Sequence, residues 1–137
     1  WHKMDKTIAE IKRIIKPGGT LEIWVPDAVK IAQAFLDAEN GANEDFKTKD
    51  GWFRFNEKQD PCVWFSGRTF SYGDGVSATA ANHWNIHLAW FSERYLKKLL
   101  HENGFTKITR MDNAECRAYD HGFINLGIKA VKANNIL

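Results

Sequence analysis

The sequence predicts an α/β fold, and three neighbouring signals predict it. The segment Lys16-Pro17-Gly18-Gly19 ends a helix, because proline removes the next helical hydrogen bond and glycine accepts the positive φ of a tight reversal. Leu21 to Val25 then alternates with the period of two that indicates a strand. Asp27 follows in the position of an N-cap for a helix that starts at Ala28. Helix, strand and helix in succession predict a sheet with helical crossovers.

The helices on either side of this strand are predicted from their apolar spacing. Asp5 is the predicted N-cap of the first helix, which runs to about Lys16. The apolar stripe of that helix is Met4, Ile8, Ile11 and Ile15, widened by Ile14. The second helix runs from Ala28 to about Ala38 and ends at Asn40-Gly41. Its predicted buried side is Val29, Ala32, Phe35 and Leu36, with Ile31 at the border.

The last third of the chain predicts one more helix and two strands. Ser92 caps a helix that reaches about Asn103 and ends at Gly104. The buried side of this helix is predicted to be Tyr95, Leu96, Leu99 and Leu100. Strands follow at 105–111 and 123–131, joined by a polar connection over 112–119 and followed by a frayed tail. Because no helix joins these two strands, we expect them to be antiparallel.

Residues 41–91 are predicted to form an insertion between strands. This stretch is long for a structureless loop, so we expect short helices or a small hairpin in it. It also holds much of the chain's aromatic content, which is 13% overall. Two interpretations stay open: a satellite hydrophobic core that attaches the insertion, or a pocket wall that excludes water. The aromatic residues concerned are Trp52, Phe53, Phe55, Trp64, Phe65, Phe70 and Tyr72.

Three segments of the chain resemble class I S-adenosylmethionine-dependent methyltransferases, especially the type 11 group. The first reads E-I-K-R-I-I-K-P-G-G-T-L-E-I-W-V-P-D and ends at Asp27, like the family's fifth-strand region. The second, from Phe91-Ser92-Glu93 to Gly104-Phe105, is similar to the helix that leads into its sixth strand. The third, from Asp120 to Ile128, is similar to its last strand. Together the segments span nearly the whole chain in the family's order.

The resemblance implies a partial Rossmann-like methyltransferase sheet that contains the fifth, sixth and seventh strands. In that fold the last strand is antiparallel and lies between the fifth and the sixth. Residues 1–137 would then form a single domain, the C-terminal portion of the fold, with the insertion at 41–91. The implied function is that of the substrate-side portion of a methyltransferase.

The family's cofactor motif, a glycine-rich turn after the first strand, has no counterpart in this sequence. Gly73-Asp74-Gly75 is the nearest match, and it neither follows a predicted strand nor opens a predicted helix. We therefore expect a truncated chain that is inactive alone and binds no S-adenosylmethionine, although the intact family uses that cofactor. Whether the chain itself is an enzyme is left open.

The resemblance also makes a prediction about partners. The strand at Leu21 to Val25 should have the last strand on one side only, which leaves an apolar strand edge that favours association. We expect a second copy, in a homodimer, or a missing N-terminal half to cover this edge. The alternative function is therefore a non-catalytic homodimerising α/β module.

Composition excludes several other classes. The net charge of +2 is too small for a nucleic-acid-binding surface without a basic stripe. No apolar run reaches the length of roughly 20 residues that a membrane span needs. Cys62 and Cys116 lie far apart, so they predict reduced thiols and a cytoplasmic protein, not a disulfide framework.

The candidate substrate-binding residues come mainly from two places. Asp27 follows the first strand, and ligands of open α/β sheets bind beyond the carboxyl ends of strands; the competing role is a helix cap. His83, Trp84 and His87 form a polar and aromatic cluster before the helix at Ser92. The spacing of the two histidines would suit a metal only on a helix, and no third ligand is near, so no metal is predicted. Tyr72 is a further candidate and Arg68 a weaker one, as an arginine expected in a loop.

Overall fold

The computed structural model describes residues 3–42, 60–70, 89–118 and 122–134. These residues form a mixed α/β structure with four helices and a three-stranded sheet. The helices are α1 (Met4–Ile14), α2 (Ala28–Glu39), α3 (Pro61–Phe70) and α4 (Glu93–Glu102). The strands are β1 (Thr20–Pro26), β2 (Phe105–Met111) and β3 (Asn125–Lys132), with short 3-10 turns at Asn113–Glu115 and Gly122–Ile124. The predicted α/β class is confirmed at this level.

The described residues fall into two compact units. The first contains α1, the whole sheet and α4, and its residues are 3–27, 91–118 and 125–134. The second contains α2, α3 and the turn Gly122–Ile124. The predicted boundaries of a single domain with an insertion at 41–91 stay a prediction.

The sheet belongs to the first unit and has the order β1-β3-β2. Strand β3 is antiparallel to both neighbours, with Ile23 opposite Ile128 on one side and Met111 opposite Gly127 on the other. This is the order expected for these three strands, with the last strand between the other two. Its place in a larger methyltransferase sheet stays a proposal.

The core of the first unit lies between the helices α1 and α4 and one face of the sheet. Alternate residues of β3 are fully buried in it, as the period of two requires. Ser92 Oγ accepts a hydrogen bond from the Tyr95 backbone N–H, so the predicted cap of α4 is confirmed. Burial of one leucine or isoleucine side chain contributes about 1.5–3 kcal/mol, so this cluster is the main source of the unit's stability. Its buried members are Ile8, Leu96, Leu99, Leu100, Phe105, Leu126, Ile128 and Ala130.

The second unit has a separate core in which Trp64 of α3 is fully buried. Asp60 caps α3 by accepting hydrogen bonds from the backbone N–H groups of Cys62 and Val63. The Phe35 and Phe65 rings stack with centroids 4.5 Å apart. Trp64 and Phe65 therefore belong to a satellite hydrophobic core, which confirms that interpretation for these two residues. Helix α3 is the short helix expected in residues 41–91. Phe70 is exposed, and the other aromatic residues named from 52–72 lie outside the described residues.

The predicted buried side of α2 is right for Phe35, which packs against the second core, and wrong for Val29 and Leu36. Val29 and Leu36 are 61% and 50% exposed, whereas Ile31, Ala34 and Ala38 are buried. The helix carries apolar residues around much of its circumference, so spacing alone could not choose between two stripes. The packed stripe includes two alanines, whose small side chains leave room for the large Trp64 ring in the same core.

Three predicted boundaries also differ from the structure. Helix α1 begins at Met4 with Lys3 at the cap position, so Asp5 lies in the first turn, where the helix dipole favours an acidic residue. The helix ends at Ile14, which is 70% exposed and does not widen the buried stripe. Strand β3 begins at Asn125 and not at Phe123, because Phe123 and Ile124 belong to the second core.

Candidate functional site

Strands β1 and β2 run in the same direction, because both are antiparallel to β3. Their carboxyl ends therefore lie at one end of the sheet, where β3 begins. Asp27 follows β1 at this end, Arg110 is the penultimate residue of β2, and the fully buried Asn125 opens β3. Open α/β sheets bind their ligands at such an end.

The charged residues at this end form a linked group, here called the carboxyl-end cluster: Asp27, Glu93 and Arg110. Arg110 Nη1 lies 2.7 Å from Glu93 Oε2, a charge-assisted hydrogen bond. Arg110 Nη2 lies 3.9 Å from Asp27 Oδ2, an ion pair beyond hydrogen-bond distance. One guanidinium group thus bridges the residue after β1 and the first residue of α4.

The members of the cluster differ in exposure, and this difference limits what each can contact. The Asp27 side chain is 5% exposed, the Glu93 side chain 33% and the Arg110 side chain 41%. A molecule that approaches the cluster therefore meets Arg110 and Glu93 before Asp27. The burial of Asp27 directly before α2 favours its helix-capping interpretation over direct contact with a substrate.

Glu93 is held in its ionised form by two cations. Lys97 Nζ lies 2.6 Å from Glu93 Oε1, one helical turn along α4. Hydrogen bonds from Lys97 and then from Arg110 lower the pKa of Glu93 below its ordinary value of 4.5. At neutral pH the cluster therefore keeps a charged glutamate that orients the Arg110 guanidinium.

Backbone and aromatic contacts shape the surroundings of the cluster. Asp27 forms an isolated parallel bridge with Phe91, which brings the residue after β1 beside the segment that leads into α4. The Phe91 and Tyr95 rings stack with centroids 6.1 Å apart. The cluster thus lies beside an aromatic pair on the α4 side.

Of the predicted site residues, the structure describes only Asp27. The other four, Tyr72, His83, Trp84 and His87, lie outside the described residues and stay predictions. Arg68, the weaker candidate, lies on α3 and not in a loop, and it is 7% exposed. Its guanidinium carbon lies 5.9 Å from the centre of the Trp64 ring, a cation–π contact inside the second unit.

Arg110 and Glu93 were not predicted as site residues, although the sequence contained a usable signal. Arg110 stands near the end of a predicted strand, and the expected strand order makes that strand parallel in direction to β1. The carboxyl ends of these two strands are then expected at the same end of the sheet. That placement brings Asp27 and Arg110 to the same end. Only the structure shows that Glu93 reaches the same guanidinium, because this contact joins residues 17 positions apart.

Three features of the described residues bear on other classes of site. No group of three or more histidine, cysteine or acidic side chains there could hold a metal ion. Both cysteines carry free thiols. Among the described helices, none has the length and apolar content that crossing a membrane requires.

Comparison with known proteins finds no relative of this chain. No family model matches the chain, and no curated protein and no solved structure matches it either.

Proposed function

We propose that residues 1–137 form the C-terminal, substrate-side portion of an S-adenosylmethionine-dependent methyltransferase. The observation that supports this most is the strand order β1-β3-β2, with the last strand antiparallel between two strands of common direction. It accompanies the Lys-Pro-Gly-Gly turn directly before β1, where Gly18 has a φ of +73°. A helix, this turn and a strand with such neighbours together favour the methyltransferase interpretation over other α/β classes.

The residues present do not fit S-adenosylmethionine itself. In the described residues, the turn from strand to helix that follows β1 consists of Asp27, a carboxylate before the N-terminus of α2, and contains no glycine. In the family the glycine-rich turn follows the first strand, whereas β1 resembles the fifth. Among the described strands β1 alone leads directly into an α-helix, so no described strand-to-helix turn has the glycines that let the backbone approach the ligand closely. No step of methyl transfer is therefore assigned to these residues.

In this proposal the carboxyl-end cluster orients the molecule that accepts the methyl group. Glu93 holds one side of the Arg110 guanidinium, and the partly exposed remainder presents N–H donors at the end of the sheet. Such donors suit an oxygen or carboxylate of the acceptor. The cluster's contribution is to align the acceptor atom with the methyl group. Because the cofactor is already activated, this alignment is the main requirement of the in-line displacement.

Cofactor titration tests this proposal. Isothermal calorimetry of residues 1–137 with S-adenosylmethionine should give no saturable binding. The polypeptide that also includes any residues encoded directly upstream of Trp1 should bind the cofactor and transfer its labelled methyl group. In that polypeptide, Arg110→Gln should raise the acceptor KM about tenfold or more, as loss of a charged hydrogen bond does.

The matched control is Arg94→Gln, which changes an exposed arginine on the same helical segment as Glu93. It should leave the acceptor KM unchanged. Micromolar binding of the cofactor by residues 1–137 alone would overturn the assignment to a portion that lacks the cofactor site. Absence of cofactor binding by the longer polypeptide would overturn the methyltransferase assignment.

A further inference from the structure

The two outer strands of the sheet differ in how their free backbone edges are protected. Strand β2 contains a register irregularity between Thr106 and Thr109, and Lys107 between them has a φ of +48°. Bulges and exposed lysines are devices that prevent an edge strand from pairing with another strand. Strand β2 is therefore built to end the sheet.

Between Thr20 and Val25 strand β1 has no bulge and no lysine, and Pro26, which has no backbone N–H, stands at its end. Its register with β3 runs from Thr20 opposite Val131 to Pro26 opposite Asn125 without interruption. Six of its seven residues are only partly exposed, and it contains no lysine. Within the described residues it pairs with β3 alone, so its outer edge, meaning the backbone edge that faces away from β3, is a regular template for another strand.

The backbone groups that point to the outer edge can be identified. The Lys132 N–H donates to the Gly19 carbonyl at 2.9 Å, which makes Gly19 and Lys132 a hydrogen-bonded position of the β1–β3 ladder. Such positions alternate along an antiparallel pair. Leu21, Ile23 and Val25 therefore bond to β3, and the N–H and carbonyl groups of Glu22 and Trp24 point outward.

We propose that the outer edge of β1 pairs with β1 of a second copy of this chain, antiparallel and across a two-fold axis at Ile23. In this register Glu22 of one copy and Trp24 of the other exchange both backbone hydrogen bonds. Leu21 lies opposite Val25 of the other copy, on the face that carries the first core. The three-stranded sheets of the two copies then form one continuous sheet.

The occupant is a second copy because the strand is self-complementary in this register. Its apolar residues Leu21 and Val25 are symmetric about Ile23, so apolar side chains meet on one face. The neighbouring register, centred on Glu22, places two carboxylates directly opposite each other and is disfavoured by repulsion. An isologous dimer needs such a self-matching patch.

This interface does not depend on methyl transfer. A strand from an N-terminal half would compete for the same edge, so the dimer is proposed for residues 1–137 as a protein by themselves. Sedimentation and hydrogen exchange test the dimer, whereas cofactor titration tests the proposed methyltransferase function. Either proposal can fail while the other stands.

The test combines sedimentation equilibrium with amide hydrogen exchange on unmodified residues 1–137. At about 100 µM, where a micromolar Kd populates the complex, the protein should sediment at twice the chain mass. The amides of Glu22 and Trp24 should exchange faster on dilution, while those of Leu21, Ile23 and Val25 should stay protected by β3. A monomer at this concentration overturns the proposal, as does a dimer in which dilution leaves the Glu22 and Trp24 amides unaffected.

A pair of variants at one position separates the backbone edge from the side chain. Glu22→Pro removes an outward N–H that β3 does not use, and proline is tolerated on edge strands in this orientation. Glu22→Gln removes the same carboxylate and keeps the N–H. We expect a monomer for the proline variant and a dimer for the glutamine variant. Equal association of two folded variants would overturn the proposal, and if Glu22→Pro does not fold, the exchange pattern above decides.

Discussion

At the scale of single residues, Gly127 shows how a side chain can be forbidden by a neighbour across the sheet. It lies opposite Trp24 in the β1–β3 register. A Cβ at this position would lie 2.4 Å from Trp24 Cζ3, closer than real Cβ contacts come. The glycine is required by the indole ring above it and not by its backbone conformation, since its φ is not positive.

Gly127→Ala should destabilise the fold by about 1–3 kcal/mol, because overpacking forces the ring or the strand to shift. Urea unfolding of the single and double variants with Trp24→Leu measures this effect. In the Trp24→Leu protein, Gly127→Ala should destabilise the fold by at least about 1 kcal/mol less than it does in the wild type. A difference of this size is the coupling expected of residues in contact. Equal costs in both backgrounds would show that the glycine is needed for another reason.

Residue-scale prediction from the sequence worked where a local motif decides and failed where a neighbour decides. Ser92 caps α4 as expected, because an N-cap depends on the next three residues. Asp27 was predicted from its place after a strand, and its role as a site residue stays a prediction. Arg110 was not predicted, because the contacts that single it out are with Glu93 and Asp27, which come from two other elements.

At the scale of elements, Lys132 joins three of them. Its Nζ donates to the carbonyls of Lys12 and Ile15 at 2.8 and 2.7 Å, near the carboxyl end of α1. Its backbone N–H and carbonyl bond to Gly19 and Gly18 in the turn. The end of α1, the glycine turn and the end of β3 are therefore held by one residue, whose cation also complements the helix dipole.

Lys132→Met should lower the free energy of unfolding by about 2 kcal/mol, because it removes two charged hydrogen bonds from partly buried carbonyls. Urea denaturation measures the difference. Lys129→Met is the matched control on the same strand, since the Lys129 side chain is 46% exposed and lies 3.5 Å from Glu22. The control should change stability by at most about 0.5 kcal/mol, and equal losses would contradict the assigned role.

The buried side of α2 shows the limit of periodicity at this scale. Hydrophobic spacing correctly indicates a helix from Ala28, and the structure extends it to Glu39. It cannot indicate which of two apolar stripes is buried, because that choice belongs to the partner. Here the partners are Trp64 and Ile124, which are distant in sequence and pack on Ile31 and the alanines.

At the scale of the whole molecule, two ionic groups tie distant segments together. Arg117 Nη2 lies 2.7 Å from both carboxylate oxygens of Glu22, across 95 positions of sequence. The hydrogen bond from Arg117, assisted by Lys129, lowers the pKa of Glu22 below its ordinary value of 4.5. Lys97 and Arg110 lower the pKa of Glu93 in the same direction.

Both shifts predict a loss of stability in acid. A carboxyl group whose pKa is lower in the folded state than in the unfolded state stabilises the fold above its ordinary pKa. That contribution is lost as the pH falls through the lowered value. Chemical denaturation between about pH 7 and pH 3 should therefore show a steeper decline for the wild type than for the double variant Glu22→Gln, Glu93→Gln. Parallel declines would contradict the assignment.

The sequence by itself determined much of the local structure of this protein: the start of α2, the strand after the Lys-Pro-Gly-Gly turn, and the cap of α4. These features depend on residues within one or two turns of each other, so proline, glycine and capping side chains are enough to specify them. Only the tertiary structure decided which stripe of α2 is buried, why Gly127 must be glycine, and that Arg110 bridges Asp27 and Glu93. Each of these depends on side chains that meet across long sequence separations, where shape and charge at the point of contact select the arrangement.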